Sequence, residues 1–340
     1  MPYLLTCVSH GPALGAPMPR PPEHESLVAA YEARARALQA FDPELVVIFA
    51  PDHYTGVHLQ MVPPFCIGLN CEAVDDYGGH PGRLNVPQPV AWGCIESLRS
   101  ADFDVAVSHA MTVDHGFSQP LQGLAGGLDR YPVLPILINT TCRPVSSFRR
   151  VRSFGAAVGR YVKTLGLRTA FIGSGGLSHH PANIFPQDLG STDPDIARYL
   201  LHGGMNGGMG RTEWIAQLAR WTEEGGQKVA SGERTAKDFR LNPAWDKQFL
   251  EAFAAGKLDV FDAWDPLWVI EQAGVAAMEV QQWIAAAAAA QACGLGAPSI
   301  DFYFSGAEYR ISVGVAHTST EVTPEKLEEP HAPGAGPVTL

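Results

Sequence analysis

Thiol chemistry has little to work with in this chain. Six cysteines (Cys7, Cys66, Cys71, Cys94, Cys142 and Cys293) are scattered over 340 residues and no two form a C-x-x-C pair. That excludes the usual zinc-ribbon and dithiol redox spacings and fits reduced thiols in a cytoplasm. Positive charge is scarce as well: 24 Lys and Arg stand against 35 Asp and Glu, for a net charge of −11. Without a basic stripe, neither nucleic acid nor an anionic membrane is the expected partner. No apolar run reaches the roughly 20 residues of a membrane span. Ala285–Ala290 comes nearest, but Gln281, Gln282 and Gln291 flank it, so it reads as a helix of small side chains. The opening Met1-Pro-Tyr-Leu-Leu-Thr-Cys-Val8 is too short an apolar run for a secretory signal. What remains is the composition of an ordinary soluble globular protein, with 46% hydrophobic and 17% charged residues.

Short β-branched runs alternate with amphipathic stretches through the first half. Strands are expected at Tyr3–Val8, Glu44–Ala50, Phe103–Val107, Val133–Ile138 and Thr169–Ile172, and helices at Glu25–Ala40, Gln88–Ser100, Gln119–Leu128 and Phe148–Leu165. Strand, helix, strand at this spacing implies crossover connections. The fold class is therefore α/β, a largely parallel or mixed central sheet with helices on both faces. Residues 184–240 are polar and glycine-rich and read as a mobile excursion or lid. Helices follow, then a closing pair of strands at Ser299–Phe304 and Glu308–Val315. With no internal repeat and no linker, one domain is expected over residues 1–320 and a disordered Pro- and Gly-rich tail over 321–340.

Four of the twelve histidines fall in comparable places. His10 follows the first strand and His53 the second, His115 lies in the loop after the third, and His179 follows the glycine loop of the fifth. Loops at the carboxyl ends of parallel strands share one edge of the sheet, where ligands bind. One loop histidine is usually bonded to backbone and nothing more. Four in the same topological position point to a shared crevice.

The loop Gly173-Ser-Gly-Gly-Leu-Ser-His-His-Pro181 fails the competing glycine motifs. A dinucleotide fingerprint needs glycine at Ser178, a nucleophile elbow needs glycine at Ile172, and a phosphate-binding P-loop needs a lysine. Its glycines are expected to turn the backbone tightly so that His179 reaches inward. Downstream, helical spacing places Val275, Glu279 and Trp283 on one stripe. A glutamate on an apolar stripe costs several kcal/mol unless it is paired or metal-bound. The alternatives are a half-exposed side chain or a salt bridge to arginine. Two histidines and one carboxylate form the facial triad of non-haem Fe(II) oxygenases, yet zinc takes similar sets. The residues alone leave dioxygen chemistry and hydrolysis both open.

Five motifs occur in order: "SHGP" at 9–12, "FAPDHY" at 49–54, "VDHGFSQPL" at 113–121, "GSGGLSHHP" at 173–181 and "LNPAWDKQF" at 241–249. Together they closely resemble the type II, LigB-like extradiol ring-cleavage dioxygenases, from about Tyr3 to about Thr318. The resemblance implies a three-layer fold of that type and a homo-oligomer. It implies that His10, His53 and Glu279 hold Fe(II), with "MEVQQW" matching the family's late helix, and that His115 acts as catalytic acid and His179 as base. His180 is not a position the family needs and is expected to turn away from the metal. Asp52 and Asp114 are each expected to orient a ligand other than their sequence neighbour. The implied substrates are dioxygen and a 3-substituted catechol, 3-(2,3-dihydroxyphenyl)propionate for preference, opened between C1 and C2. Its carboxylate asks for a cation, for which Arg143, Arg149, Arg211, Arg240 and Arg310 are candidates. A zinc hydrolase on the same triad and a non-catalytic LigB-like binding protein are the competing readings. A mere binder has no use for both His115 and His179.

Overall fold

A computed structural model of the chain describes residues 2–319 apart from 12–13, 15–19, 77, 182 and 186–188. The tail expected at 321–340 lies outside the described residues. In chain order the elements are β1 (Tyr3–Val8), α1 (His24–Phe41), β2 (Leu45–Ala50), β3 (Phe65–Gly68), β4 (Cys71–Ala73), β5 (Gly82–Arg83), α2 (Gln88–Ser100), β6 (Ala106–Ser108), β7 (Met111–Val113) and α3 (His115–Pro120). There follow β8 (Val133–Ile138), α4 (Phe148–Leu165), β9 (Thr169–Ser174), α5 (Pro194–His202), α6 (Arg211–Ala230), α7 (Pro243–Ala254), α8 (Pro266–Ala273), α9 (Val280–Cys293), β10 (Ser299–Gly306) and β11 (Ile311–Ser319).

Eight strands form one mixed sheet in the order β10-β11-β1-β9-β2-β8-β3-β6, so the expected α/β class holds. The central β1, β9, β2 and β8 run parallel, while β11 and β3 pair antiparallel on either side. Alternate residues of the central strands point to opposite faces, and both faces are buried. Leu5, Cys7, Val47, Phe49 and Phe171 join one core with α2, α4 and α9. Leu4, Val8, Val46, Ile48 and Ile172 join the other, beneath α1 and the turn that continues α3. Burial on both sides explains why these strands read as continuous apolar runs rather than alternating ones.

The alanine-rich α9 is buried along nearly its whole length. Its partner α4 carries Gly155 and Gly159 against it. A Cβ on Gly155 would sit 2.2 Å from the Ala285 carbonyl oxygen, and one on Gly159 equally close to that of Ala289. Small residues on both helices let the backbones touch, which brings the Glu279 end of α9 down onto the sheet.

One expectation gains detail and another needs correction. Residues 184–240, expected as a mobile excursion or lid, carry α5 and α6 and bury Tyr199 and Trp214 with ring centroids 5.0 Å apart. The glycines at 203–210 serve as the connection, with Gly203 at φ 61° closing α5. The third strand is misplaced. The observed β6 is a short edge strand parallel to β3, which is itself antiparallel to β8. Its carboxyl end therefore points away from those of β1, β2 and β9. The chain returns through β7, part of a separate three-stranded sheet β5-β4-β7, and only then reaches His115.

The Gly155 contact is with backbone, which no rotamer change relieves. Gly155→Ala is expected to lower stability by about 1–3 kcal/mol in urea unfolding. An unchanged transition midpoint would mean that the two helices are not in backbone contact.

Candidate active site

The parallel strands β1, β9 and β2 lie side by side and end level, with Val8 paired to Ser174 and Phe49 to Gly173. His10, His53 and the Ser174–His180 loop thus emerge from neighbouring positions at one sheet edge. His115, at the first turn of α3, reaches the same place from the small sheet. All four histidines line one cavity of about 270 Å³. That is close to the lower end of the roughly 300–1,000 Å³ usual for small-molecule sites.

Hydrogen bonds fix which nitrogen of each ring is available. The Ser174 hydroxyl donates its one proton to the Gly116 carbonyl oxygen at 2.5 Å, so His10 Nδ1, 2.7 Å from Ser174 Oγ, must be the donor there. His53 Nδ1 donates to Asp114 Oδ2 at 3.0 Å, and the same oxygen accepts the His53 backbone N–H at 2.7 Å. In the neutral form of each ring this leaves the lone pair on Nε2. These two nitrogens lie 3.4 Å apart.

Glu279 completes the convergence. Its Oε2 lies 3.6 Å from His10 Nε2 and its Oε1 3.5 Å from His53 Nε2. Atoms held about 2.0–2.2 Å from one ion at 90–110° are about 2.8–3.6 Å apart, so the three groups fit a single divalent cation. Glu279 is 1% exposed, and although Oε2 accepts the Gly176 N–H at 2.8 Å, Oε1 has no hydrogen-bond partner among the described residues. A buried carboxylate oxygen left without a donor is costly unless a cation occupies that side. Burial alone would raise the carboxyl, yet the imidazoles of His10, His53 and His179 hold it well below the usual range. Burial pushes His10 down to about 3, whereas at His53 burial is outweighed by the Asp114 and Glu279 carboxylates, which hold it well above its usual range, so the positive charge beside Glu279 falls on His53.

Two other sets of potential ligand atoms lie within 4.8 Å of one another among the described residues: His10, His53 and His115, and Asp76, Asp114 and His115. In the second set one oxygen of each carboxylate orients an imidazole, while Asp76 Oδ1 has no hydrogen-bond partner among the described residues. Asp114 holds His53, and Asp76 Oδ2 accepts from both Nδ1 and the backbone N–H of His115. His10 and His53 belong to the first set and also face Glu279, His10 Nε2 towards Oε2 and His53 Nε2 towards Oε1.

The family model for the catalytic LigB subunit of aromatic ring-opening dioxygenase matches residues 4–308. The chain belongs to the LigB family. It is 42% identical over 306 residues to a protein of Mycolicibacterium gilvum named 2,3-dihydroxyphenylpropionate/2,3-dihydroxicinnamic acid 1,2-dioxygenase, covering 89% of this chain and 94% of that one. A Paraburkholderia xenovorans protein of the same name is 41% identical over 318 residues, covering 93% and 98%. A second enzyme of that activity from Pseudomonas putida is 40% identical over 294 residues, covering 85% and 90%.

In this LigB chain His179 sits beside the Glu279 carboxylate. Its Nδ1 is 2.8 Å from the Leu177 carbonyl oxygen, which can only accept, so Nδ1 carries the proton. Nε2, 3.9 Å from Glu279 Oε1, is then the basic nitrogen of the neutral ring. Burial lowers its pKa, and the Glu279 charge opposes that only in part. His115 stacks on His53, with centroids 4.3 Å apart. His180 does not simply turn away: it lines the cavity wall while its Nδ1 accepts the Val275 N–H at 3.2 Å, which ties the histidine loop to the Glu279 segment.

Asp114 orients His53, as expected of it, whereas Asp52 touches no histidine. Its carboxylate accepts the backbone N–H groups of Thr55, Gly56 and Val57 and shapes the turn after His53. Burial, then the nearby Asp114 charge, raises Asp52 to about 7. The glycines of the histidine loop also act differently from expectation. Gly175 and Gly176 do not adopt positive φ. A Cβ on Gly175 would lie 2.5 Å from the Glu279 carbonyl oxygen, and one on Gly176 2.7 Å from His179 Cε1. They are needed for close approach.

Three supporting residues escape a sequence reading. Ser174 stands inside the glycine loop but holds His10. Asp76 has no patterned neighbour to mark it. Asp246, inside "LNPAWDKQF", is fully buried and accepts from the Ser178 N–H, the Ser178 hydroxyl and the Tyr303 hydroxyl at 2.8–3.0 Å, anchoring the residue next to His179. Removing the carboxylate that orients a ligand is expected to show in metal binding. Asp114→Ala should lower divalent-metal affinity by about 10–100-fold in anaerobic equilibrium dialysis against Fe(II). Wild-type affinity in that variant would show that Asp114 does not orient a ligand.

Proposed function

We propose that this chain is an Fe(II)-dependent extradiol dioxygenase that opens a 3-substituted catechol between C1 and C2. The preferred substrate is 3-(2,3-dihydroxyphenyl)propionate, the acid for which its relatives are named. The observation that carries the reading is the buried meeting of His10 Nε2, His53 Nε2 and Glu279 within 3.4–3.6 Å. It opens onto a cavity that two further histidines line. In this reading His10, His53 and Glu279 hold the iron and leave coordination positions open.

Ferrous iron, when bound, supplies the redox chemistry that lets an aromatic diol react with dioxygen. The remaining work is proton management by side chains. His179, neutral and with Nδ1 tied to the Leu177 carbonyl, takes a proton from a substrate hydroxyl at Nε2. His115 delivers a proton to a dioxygen-derived oxygen as the ring opens. Its Asp76 partner, bonded to Nδ1, fixes the ring's orientation. Phe185, buried against the His53 and Tyr54 rings, keeps water from that side of the site. Assembly into a homo-oligomer in the cytoplasm belongs to the same proposal. The exposed Leu267 and Trp268 at the start of α8 support the first part. No helix among the described residues is long and apolar enough to cross a membrane.

The assay is anaerobic loading with Fe(II), then catechol and air, following the yellow ring-fission product. His10→Ala, His53→Ala and Glu279→Ala are expected to lose iron. His115→Ala and His179→Ala should keep iron while turnover falls by about 100-fold or more. An exchange of phenotypes between the groups would overturn the assigned roles. Native zinc with hydrolytic activity and no ring-fission product would overturn the reaction.

A further inference from the structure

The cavity holds more than the histidine cluster. Its wall is completed by the helical segment that sequence reading took for a loose excursion, including Trp221 and Thr222 of α6 and then Arg234, Asp238 and Phe239. Arg310 and Ile311 at the β10–β11 turn close it from the sheet edge. An aromatic acid in this site needs a cation at its far end, and the chain's net charge of −11 means that the cation has to be local.

Of the five arginines open as candidates from sequence, only Arg310 lines the cavity. Arg211 donates to the Thr55 carbonyl and Arg240 to that of Ile270. Arg310 is a structural strut. At φ 60° it turns β10 into β11, and its Nη1 donates to the Thr222 carbonyl on α6, 2.5 Å away. His180 also lines the cavity, but burial and then the Arg240 charge push it down to about 4, so it brings no positive charge at neutral pH.

Arg234 is different. It lines the cavity, is half-buried, and no hydrogen bond or ion pair engages its guanidinium among the described residues. Its backbone is held by the Lys228 carbonyl, and its guanidinium carbon stands 6.0 Å from the centre of the Phe239 ring. The one carboxylate close by on the cavity wall, Asp238, is turned to Thr235, whose N–H and hydroxyl it accepts at 2.7 and 3.1 Å. We propose that Arg234 binds the carboxylate of the ring substituent and so selects carboxyalkyl catechols over alkyl catechols. This rests on the extradiol reading above and adds to it the residue that sets substrate class. The planar fork of arginine suits a carboxylate through two parallel hydrogen bonds, and Phe239 limits the planes the guanidinium can adopt.

The test compares two substrates of similar size, 3-(2,3-dihydroxyphenyl)propionate and 3-ethylcatechol, on the iron-loaded enzyme. Arg234→Ala is expected to lower kcat/KM for the acid by about 10–100-fold, mostly through KM, and to change 3-ethylcatechol by less than about threefold. Arg234→Lys should restore part of the loss on the acid alone. Arg310→Ala, as a strut, should instead lower the melting temperature and affect both substrates alike. Equal loss on both substrates in Arg234→Ala, or undiminished cleavage of the acid, overturns the assignment and leaves the extradiol reading standing. Wild-type enzyme that opens neither catechol sinks that reading and this assignment with it.

Discussion

A buried carboxylate with one oxygen satisfied and the other facing two imidazole nitrogens is the constraint around which this molecule is arranged. Glu279 takes the Gly176 N–H on Oε2 and presents Oε1 to His53. For a side chain only 1% exposed, that geometry calls for positive charge beside the acid. Much of the surrounding structure serves the approach of Glu279 to the sheet. Gly155 and Gly159 let α9 settle onto α4. Gly175 admits the backbone and Cβ of Glu279, Gly176 leaves room for the Ile311 and His179 side chains, and Gly274, at φ 93°, lets the chain pass 2.1 Å in Cβ terms from the His179 carbonyl oxygen. Each of these glycines marks a contact that any larger residue would force open.

The imidazoles are sorted by what holds Nδ1. A serine hydroxyl that has already spent its proton holds His10, a carboxylate holds His53, a second carboxylate holds His115, and a backbone carbonyl holds His179. A carbonyl fixes the tautomer without adding charge, which suits a group that begins neutral and takes a proton. The proposed acid and base, His115 and His179, thus differ in the partner that fixes Nδ1, a carboxylate for one and a backbone carbonyl for the other.

A large part of this was legible before any coordinates. The central strands β1, β2, β8 and β9 announce themselves because burial on both faces makes them apolar throughout, and the positions of His10, His53 and His179 follow from that. Glu279 stands out as an acid on an apolar stripe. His115 lines the cavity but does not reach it from the expected third strand: β6 and β7 are three residues each, too short to show a period, and β6 runs the opposite way. The helices α5 and α6 were masked by the glycines between them, although Tyr199 and Trp214 belong to a packed interior. Asp76 and Asp246 are out of reach of a local pattern because their roles depend on contacts across 39 and 68 residues of chain, and Arg234 because only the folded chain shows which arginine lines the cavity.

The central claim concerns which three side chains close on the metal, and anomalous diffraction at the iron edge from anaerobically loaded crystals addresses it directly. The account predicts one peak about 2.0–2.2 Å from His10 Nε2, His53 Nε2 and a Glu279 oxygen, with His115 and Asp76 still bonded to each other. A peak bound by His115 in place of Glu279, or lying between Asp76 and Asp114, would contradict it.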